Sequence, residues 1–475
     1  MFINRIMKMT LLLLAALPLA TPAQEHVNPV DVFEQTWQTF NTNYPYFDHS
    51  SIDWEAIHRV YRPKVTAEST DEELFRVLCN MLGLLNDGHV NLKNGKTGFN
   101  AGIIHELTMD DYSRQLVYTK YLKGKFEARQ DSNFVYGWLN EDIAYLSIKR
   151  WKQKHLVGAI VDSILFELTA AKGLIIDVRD NTGGNAFAAQ EVANRFADRK
   201  RLFMKSYPKL GPGHDSFFPP LYAYVAPAGP VQFTGSVVIL QHRFSESATE
   251  LFIMAMHVLP NISTVGEITS GCFGAYYTEN LLNGWNIGMP WFYETDQNDH
   301  CWVGTGIPPD LRLINSKEDI ASGRDRVIEF AIELISRGGH FGSKGESSLK
   351  DIRISLYKRF RDTAEKDGIE IAVAEFRRLQ TEEPNKVYFS AQECMLEVNM
   401  LLETGKLDEL AAIMELAHEA WPDAIAFPFI LGIVYEEQGL SEKAVAAYRK
   451  VAGREAFFPW DKGQVMQAEE HLNKN

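Results

Sequence analysis

Residues 173–199 read GLIIDVRDNTGGNAFAAQEVANRFADR. The run 173–178 is a continuous apolar stretch of strand length, suited to burial on both faces. A polar turn ending in Gly183 and Gly184 follows, and the remainder is helical in pattern. The same succession returns downstream, with SVVILQ (236–241) as a second buried strand, ATELFIMAMHVL (248–259) as a buried helix and STVGE (263–267) as a third strand. Upstream, YLSI (145–148) is strand-like. Strands alternating with helices predict βαβ units with right-handed crossovers, hence an α/β fold.

Outward from this centre the pattern changes on both sides. From Val30 to about Leu84 apolar residues recur at helical spacing, as in Leu74, Val77, Leu78 and Leu82, with the turn-rich YPYFDHSS separating two helices. After about Leu349 strand signals stop and the chain is charged, Ala/Leu/Glu-rich and helical. LGIVYEEQGLSEKAVAAYRKV (431–451) places small and large residues as a tetratricopeptide repeat does, and Gly405 lies 34 residues before Gly439, one repeat period. The expected division is a signal peptide at 1–23, an N-terminal helical subdomain at 28–92, an α/β core at 93–345 and an all-α repeat domain at 349–475.

The first residues, MFINRIMKMTLLLLAALPLATPAQEH, combine the positive Arg5 and Lys8, an apolar run from Leu11 to Leu19 and small residues before Gln24. This is the pattern of an export signal, and the apolar run is far short of the roughly 20 residues that span a bilayer. A periplasmic or secreted protein without a membrane span is expected. The 475 residues carry 48 Lys and Arg against 62 Asp and Glu, a net charge of −14, which gives no support for nucleic-acid binding. Cys79, Cys272, Cys301 and Cys394 form no CxxC pair and show no zinc spacing, so no metal and no cofactor is expected. Export permits disulfides, and Cys272 with Cys301 would pair if their strands were neighbours.

Three short segments bear chemistry. In IIDVRDNTGGN the paired glycines at a strand-to-helix turn let backbone N–H groups face a cleft, a geometry that suits an anion. In HRFSESATELFIMAM, Ser247 stands where a buried strand passes into a buried helix; a hydroxyl there is a helix cap or a nucleophile. The amide of Ala248 would then face the same cleft as the Gly183 turn if the two strands are adjacent, as an oxyanion hole requires. In LLNDGHVNL, His89 follows a turn, and a neutral imidazole accepts a proton from a serine hydroxyl.

Together, GLIIDVRDNTGGN, VVILQHRFSESATELFIMAM, VGEITSG and GTGIPPDLRL resemble, in order and spacing, the tail-specific (C-terminal processing) serine proteases of peptidase family S41. The helical segment ending in NDGHV is similar to the branch that includes tricorn protease and the retinoid-binding modules. The resemblance covers roughly 30–314. It implies a crotonase-like (ClpP-like) core, Ser247 as nucleophile, His89 as base, and the amides of Gly183 and Ala248 as the oxyanion hole. Two positions depart from the pattern. Where the bacterial branch has its lysine base this chain has Cys272, in SGCFG. Where tricorn-like members have a serine before the histidine it has Gly88, and VGTGIPPD contains no glutamate to orient the ring. Asp87, Glu250 and Glu267 are the candidates for that orienting role, with Cys272 as a supporting neighbour.

The resemblance implies a serine-type endopeptidase acting on peptides or protein C-termini in the cell envelope. The alternative is a catalytically inactive protein on the same scaffold that binds peptides or hydrophobic ligands. About 40 residues separate Leu92 from Phe134, too few for the PDZ module of many relatives. The helical repeats would then be the surface for a protein partner.

Overall fold

The computed structural model describes residues 27–474 except 51, 103–106, 153, 211, 339–353, 385–386, 390, 397, 423 and 455–458. The expected export signal lies outside the described residues.

A seven-stranded sheet forms the centre. Its strands, in chain order, are β1 (Phe126–Arg129), β2 (Phe134–Trp138), β3 (Ile143–Ile148), β4 (Gly173–Asp177), β5 (Ser236–Gln241), β6 (Ile262–Gly266) and β7 (Leu311–Arg312). They lie side by side in that same order, antiparallel from β1 to β3 and parallel from β3 to β7. Helices Lys154–Glu167, Ala186–Ala193 and Ala248–His257 fall in the successive parallel connections. The mixed α/β architecture expected from the sequence is present.

The continuous apolar runs are explained by burial on both faces. Leu174 and Ile176 of β4, with Val237 and Ile239 of β5, pack into one apolar cluster; Ile175, Val238 and Leu240 pack into another, against Val327, Ala331 and Ile335 of helix Arg326–Ser336. The N-terminal helices Pro29–Asn43, Trp54–Tyr61 and Asp71–Gly83 share the first cluster, through Phe33, Trp54, Leu78 and Leu82 among others.

Two small sheets flank the carboxyl ends of β4 and β5. One joins Tyr276–Asn280, Asn286–Pro290, Asn91–Lys93 and Gly98–Asn100 in that order; the other joins Phe292–Asp296, Arg201–Pro208 and Leu221–Val225. Strand Asn91–Lys93 pairs antiparallel with Asn286–Pro290, Asn91 opposite Gly288. This pairing carries the turn at residues 86–89 to the central sheet. After residue 353 the chain is mostly helical and has its own apolar cluster, including Phe376, Phe427, Leu431 and Tyr448.

All four cysteines are free and buried, so the pairing considered for Cys272 and Cys301 does not form. The Cys272 thiol is turned to Glu246 and Cys301 to Tyr293. No helix among the described residues is long and apolar enough to cross a membrane.

Candidate active site

Parallel pairing of β4 with β5 brings the turns at their carboxyl ends side by side, and side chains stitch them together. Ser245 Oγ donates to the Val178 carbonyl at 2.8 Å. The Thr249 hydroxyl donates to the Asn181 carbonyl at 2.8 Å and receives Trp151 Nε1 at 2.9 Å. The glycine turn and the serine turn are thereby one rigid unit.

Ser247 opens helix Ala248–His257 with φ 57° and ψ −120°, a backbone conformation ordinarily left to glycine. This conformation directs its hydroxyl to His89, whose Nε2 is 3.0 Å from Ser247 Oγ. The ring's other nitrogen, Nδ1, lies 3.1 Å from the Phe273 carbonyl oxygen. A carbonyl only accepts, so Nδ1 carries the proton and Nε2 is left with a lone pair facing the serine. Tyr276 stacks on the ring at 5.4 Å. Burial pulls the imidazole down to about 4, and the nearby backbone carbonyls only partly oppose this.

None of the three carboxylates considered as orienting groups reaches the ring's Nδ1. Asp87 acts on the backbone: Oδ1 accepts the His89 N–H at 2.8 Å and Oδ2 the Tyr44 hydroxyl at 3.0 Å. Glu250 secures the serine turn from within, because its Oε2 accepts the N–H groups of Ser247 at 3.0 Å and Cys272 at 2.9 Å. Its Oε1 accepts the Gly271 N–H at 2.7 Å and the Thr269 hydroxyl at 2.6 Å. Glu267 faces the other way, with Oε2 at 2.7 Å from Arg243 Nη1. The orienting group is instead the Phe273 carbonyl, which side-chain reasoning had no means of finding, since every residue carries one.

The two departures from the family pattern are neighbours in space. A Cβ on Gly88 would lie 2.8 Å from Cys272 Sγ and 3.3 Å from Glu246 Oε1. The thiol therefore fills the room a side chain at 88 would need. Asp87, His89 and Cys272 gather at metal-ligand spacing. Both oxygens of Asp87 and both ring nitrogens are already engaged, however, and the thiol faces Glu246. Burial raises Asp87 and Glu246 to about 7.

Gly183, at φ 86°, abuts the serine turn so closely that a Cβ would stand 2.8 Å from Ser247 Cβ and 3.2 Å from the Ala248 nitrogen. Its own N–H donates to Asn181 Oδ1 at 3.0 Å, so that amide is spent inside its turn. Gly184 and Ala248 line the cleft, and among the described residues neither amide has an acceptor. The cleft holds about 330 Å³, and Phe187, Phe203, Met204 and Leu251 give it an apolar wall beside His89 and Ser247.

Residues 142–313 match the peptidase family S41 and residues 28–83 the tricorn protease C1 domain. Tricorn protease homolog 1 of Streptomyces coelicolor is 29% identical over 168 residues, 35% of this chain and 14% of that protein. The chain thus spans only 14% of the length of the curated relative it matches. A crystal structure named as a candidate peptidase from Parabacteroides merdae ATCC 43184 is 28% identical, covers 68% of this chain and 99% of its own, and superposes with a TM-score of 0.60. Mature CPAF, 10% identical with a TM-score of 0.53 over 67% of this chain and 99% of its own, is similar in fold alone. The chain is thus similar to the peptidase family S41 over residues 142–313 and to the tricorn protease C1 domain over residues 28–83.

Proposed function

We propose that the protein is a serine-type endopeptidase in which Ser247 is the nucleophile and His89 the base, acting on peptides or protein C-termini in the cell envelope. The observation that carries this reading is the 3.0 Å approach of His89 Nε2 to Ser247 Oγ, with the ring's tautomer set by Phe273. Ser247 Oγ attacks the scissile carbonyl as its proton passes to Nε2. The C–N bond then breaks as the imidazolium returns that proton to the leaving amine, and water hydrolyses the acyl-serine by the same route in reverse. The oxyanion sits on the amides of Ala248 and Gly184, the latter in place of Gly183; one such donor is worth about 10²–10³ in rate. The core is read as crotonase-like and the C-terminal helices as tetratricopeptide-like pairs.

With a carbonyl rather than a carboxylate behind the ring, the imidazolium has no anionic partner bonded to it, which predicts slow turnover. A fluorophosphonate probe should label the purified, ligand-free protein, and Ser247→Ala should remove both the label and hydrolysis of unfolded polypeptide. Failure of the folded protein to react would sink the catalytic reading in favour of a binding protein on the same scaffold.

A further inference from the structure

We propose that the hollow between the α/β core and the C-terminal helices binds a small organic anion, a carboxylate carried on a flat apolar body. Arg312, at the end of β7, is 15% exposed, and its closest acid is Glu267 Oε1 at 3.8 Å, beyond hydrogen-bonding distance. Among the described residues no acceptor meets any of its donors, and its Nε is buried without a partner. A guanidinium presents five N–H groups in a fixed fork, and hiding it from water unmatched is costly. Burial accordingly lowers Arg312 from its usual range.

The surrounding acids are already engaged. Asp111 accepts from Arg243 at 2.9 and 3.1 Å and lies 3.0 Å from His242 Nε2. Glu267 Oε2 is held by Arg243 at 2.7 Å, and Asp110 pairs with Lys317 at 3.5 Å. Arg243 completes its bonds on the Thr108 carbonyl at 2.7 Å, but its Nε is also buried and unpartnered. A metal ion is excluded from the Asp111, His242 and Glu267 cluster, because the Arg243 guanidinium already lies on both carboxylates.

Both arginines open on a cavity of about 330 Å³ whose opposite wall is aromatic, formed by Phe389 and Trp421. Those two rings stack with centroids 5.0 Å apart and an angle of 27°. Phe427 lies against the indole as well, 5.7 Å away at 31°, so the rings form a packed aromatic wall; a carboxylate matches the guanidinium fork, and an apolar group matches that wall. Two sources share this chemistry: the C-terminal residue of a peptide and a free aromatic acid. The proposal does not depend on catalysis at Ser247.

The test is calorimetric titration of the full chain carrying Ser247→Ala, with three probes: Ala-Ala-Phe, its C-terminal amide, and indole-3-acetate. At least one free acid should bind, and Arg312→Met, as well as Trp421→Ala on the opposite wall, should weaken it by about tenfold or more. Binding of the peptide acid, with the amide about tenfold weaker and indole-3-acetate inert, identifies a peptide terminus; the reverse identifies a free acid. Without ligand, Arg312→Met should melt no lower than its parent, since it removes a largely buried guanidinium whose donors meet no acceptor, while Glu267 keeps Arg243. No binding by either acid, or binding indifferent to both Arg312→Met and Trp421→Ala, overturns the proposal.

Discussion

At the scale of single residues, the site turns on a histidine that is kept neutral. Desolvation holds His89 near 4, and burial raises the neighbouring Asp87 and Glu246 to about 7, so both stay largely protonated below that value. Neither of these two carboxyls is then ionised in mildly acidic solution to draw a proton onto the ring. A base works only while unprotonated, so with His89 in the proposed role activity would be lost as pH falls through its folded-state value, not through the ordinary imidazole range. We expect kcat/KM to show no acid limb between about pH 8 and 5 and to decline only as pH approaches 4. A limb near 6.5 in the pH–rate profile would show a solvated ring instead. His89→Ala should lower kcat by about 10²–10⁴ with a smaller change in KM, as loss of a general base does.

At the scale of elements, two strand-to-helix turns have to interlock before any of this chemistry exists. Ser247 is held off ordinary backbone geometry by Glu250 beneath it and by the glycine turn against it. Gly183 is needed there twice over, for its positive φ and for a contact in which a methyl group would strike the Glu246 carbonyl at 2.7 Å. Gly183→Ala should thus destabilise the protein by about 1–3 kcal/mol and reduce turnover further than that loss explains. Denaturant melts together with fluorophosphonate labelling rates measure the two effects separately. A stable, fully reactive Gly183→Ala protein would mean that the two turns do not touch in solution.

At the scale of the whole molecule, apolar burial is divided. The central sheet is packed between two clusters that include the N-terminal helices and helix Arg326–Ser336, while the C-terminal helices bury a third cluster of their own. Hollows of about 330 and 270 Å³ lie along the boundary between the body and these helices. Separate cores joined by an incompletely packed boundary unfold as separate cooperative units. Differential scanning calorimetry should resolve two transitions, the C-terminal one unchanged by Gly183→Ala. A single transition that shifts as a whole would show that the boundary couples the two parts strongly.

Periodicity and residue type were enough to read the local structure. The runs at 173–178 and 236–241 are buried strands because they carry apolar side chains toward both faces, and Ser247 and His89 stand out because each bears the group that the proposed chemistry needs. Long-range placement was not legible. Residues 91–93 contain too few side chains for a pattern, yet their pairing with Asn286–Pro290 brings His89 to a serine 158 positions away. The ring's partner is the backbone of Phe273, which leaves no trace in residue identity. The Gly183 amide turned out to be committed to Asn181, a matter of where one side chain happens to point. Local patterns follow from short-range sterics and burial, whereas the meeting of distant backbone groups depends on how all the elements pack at once.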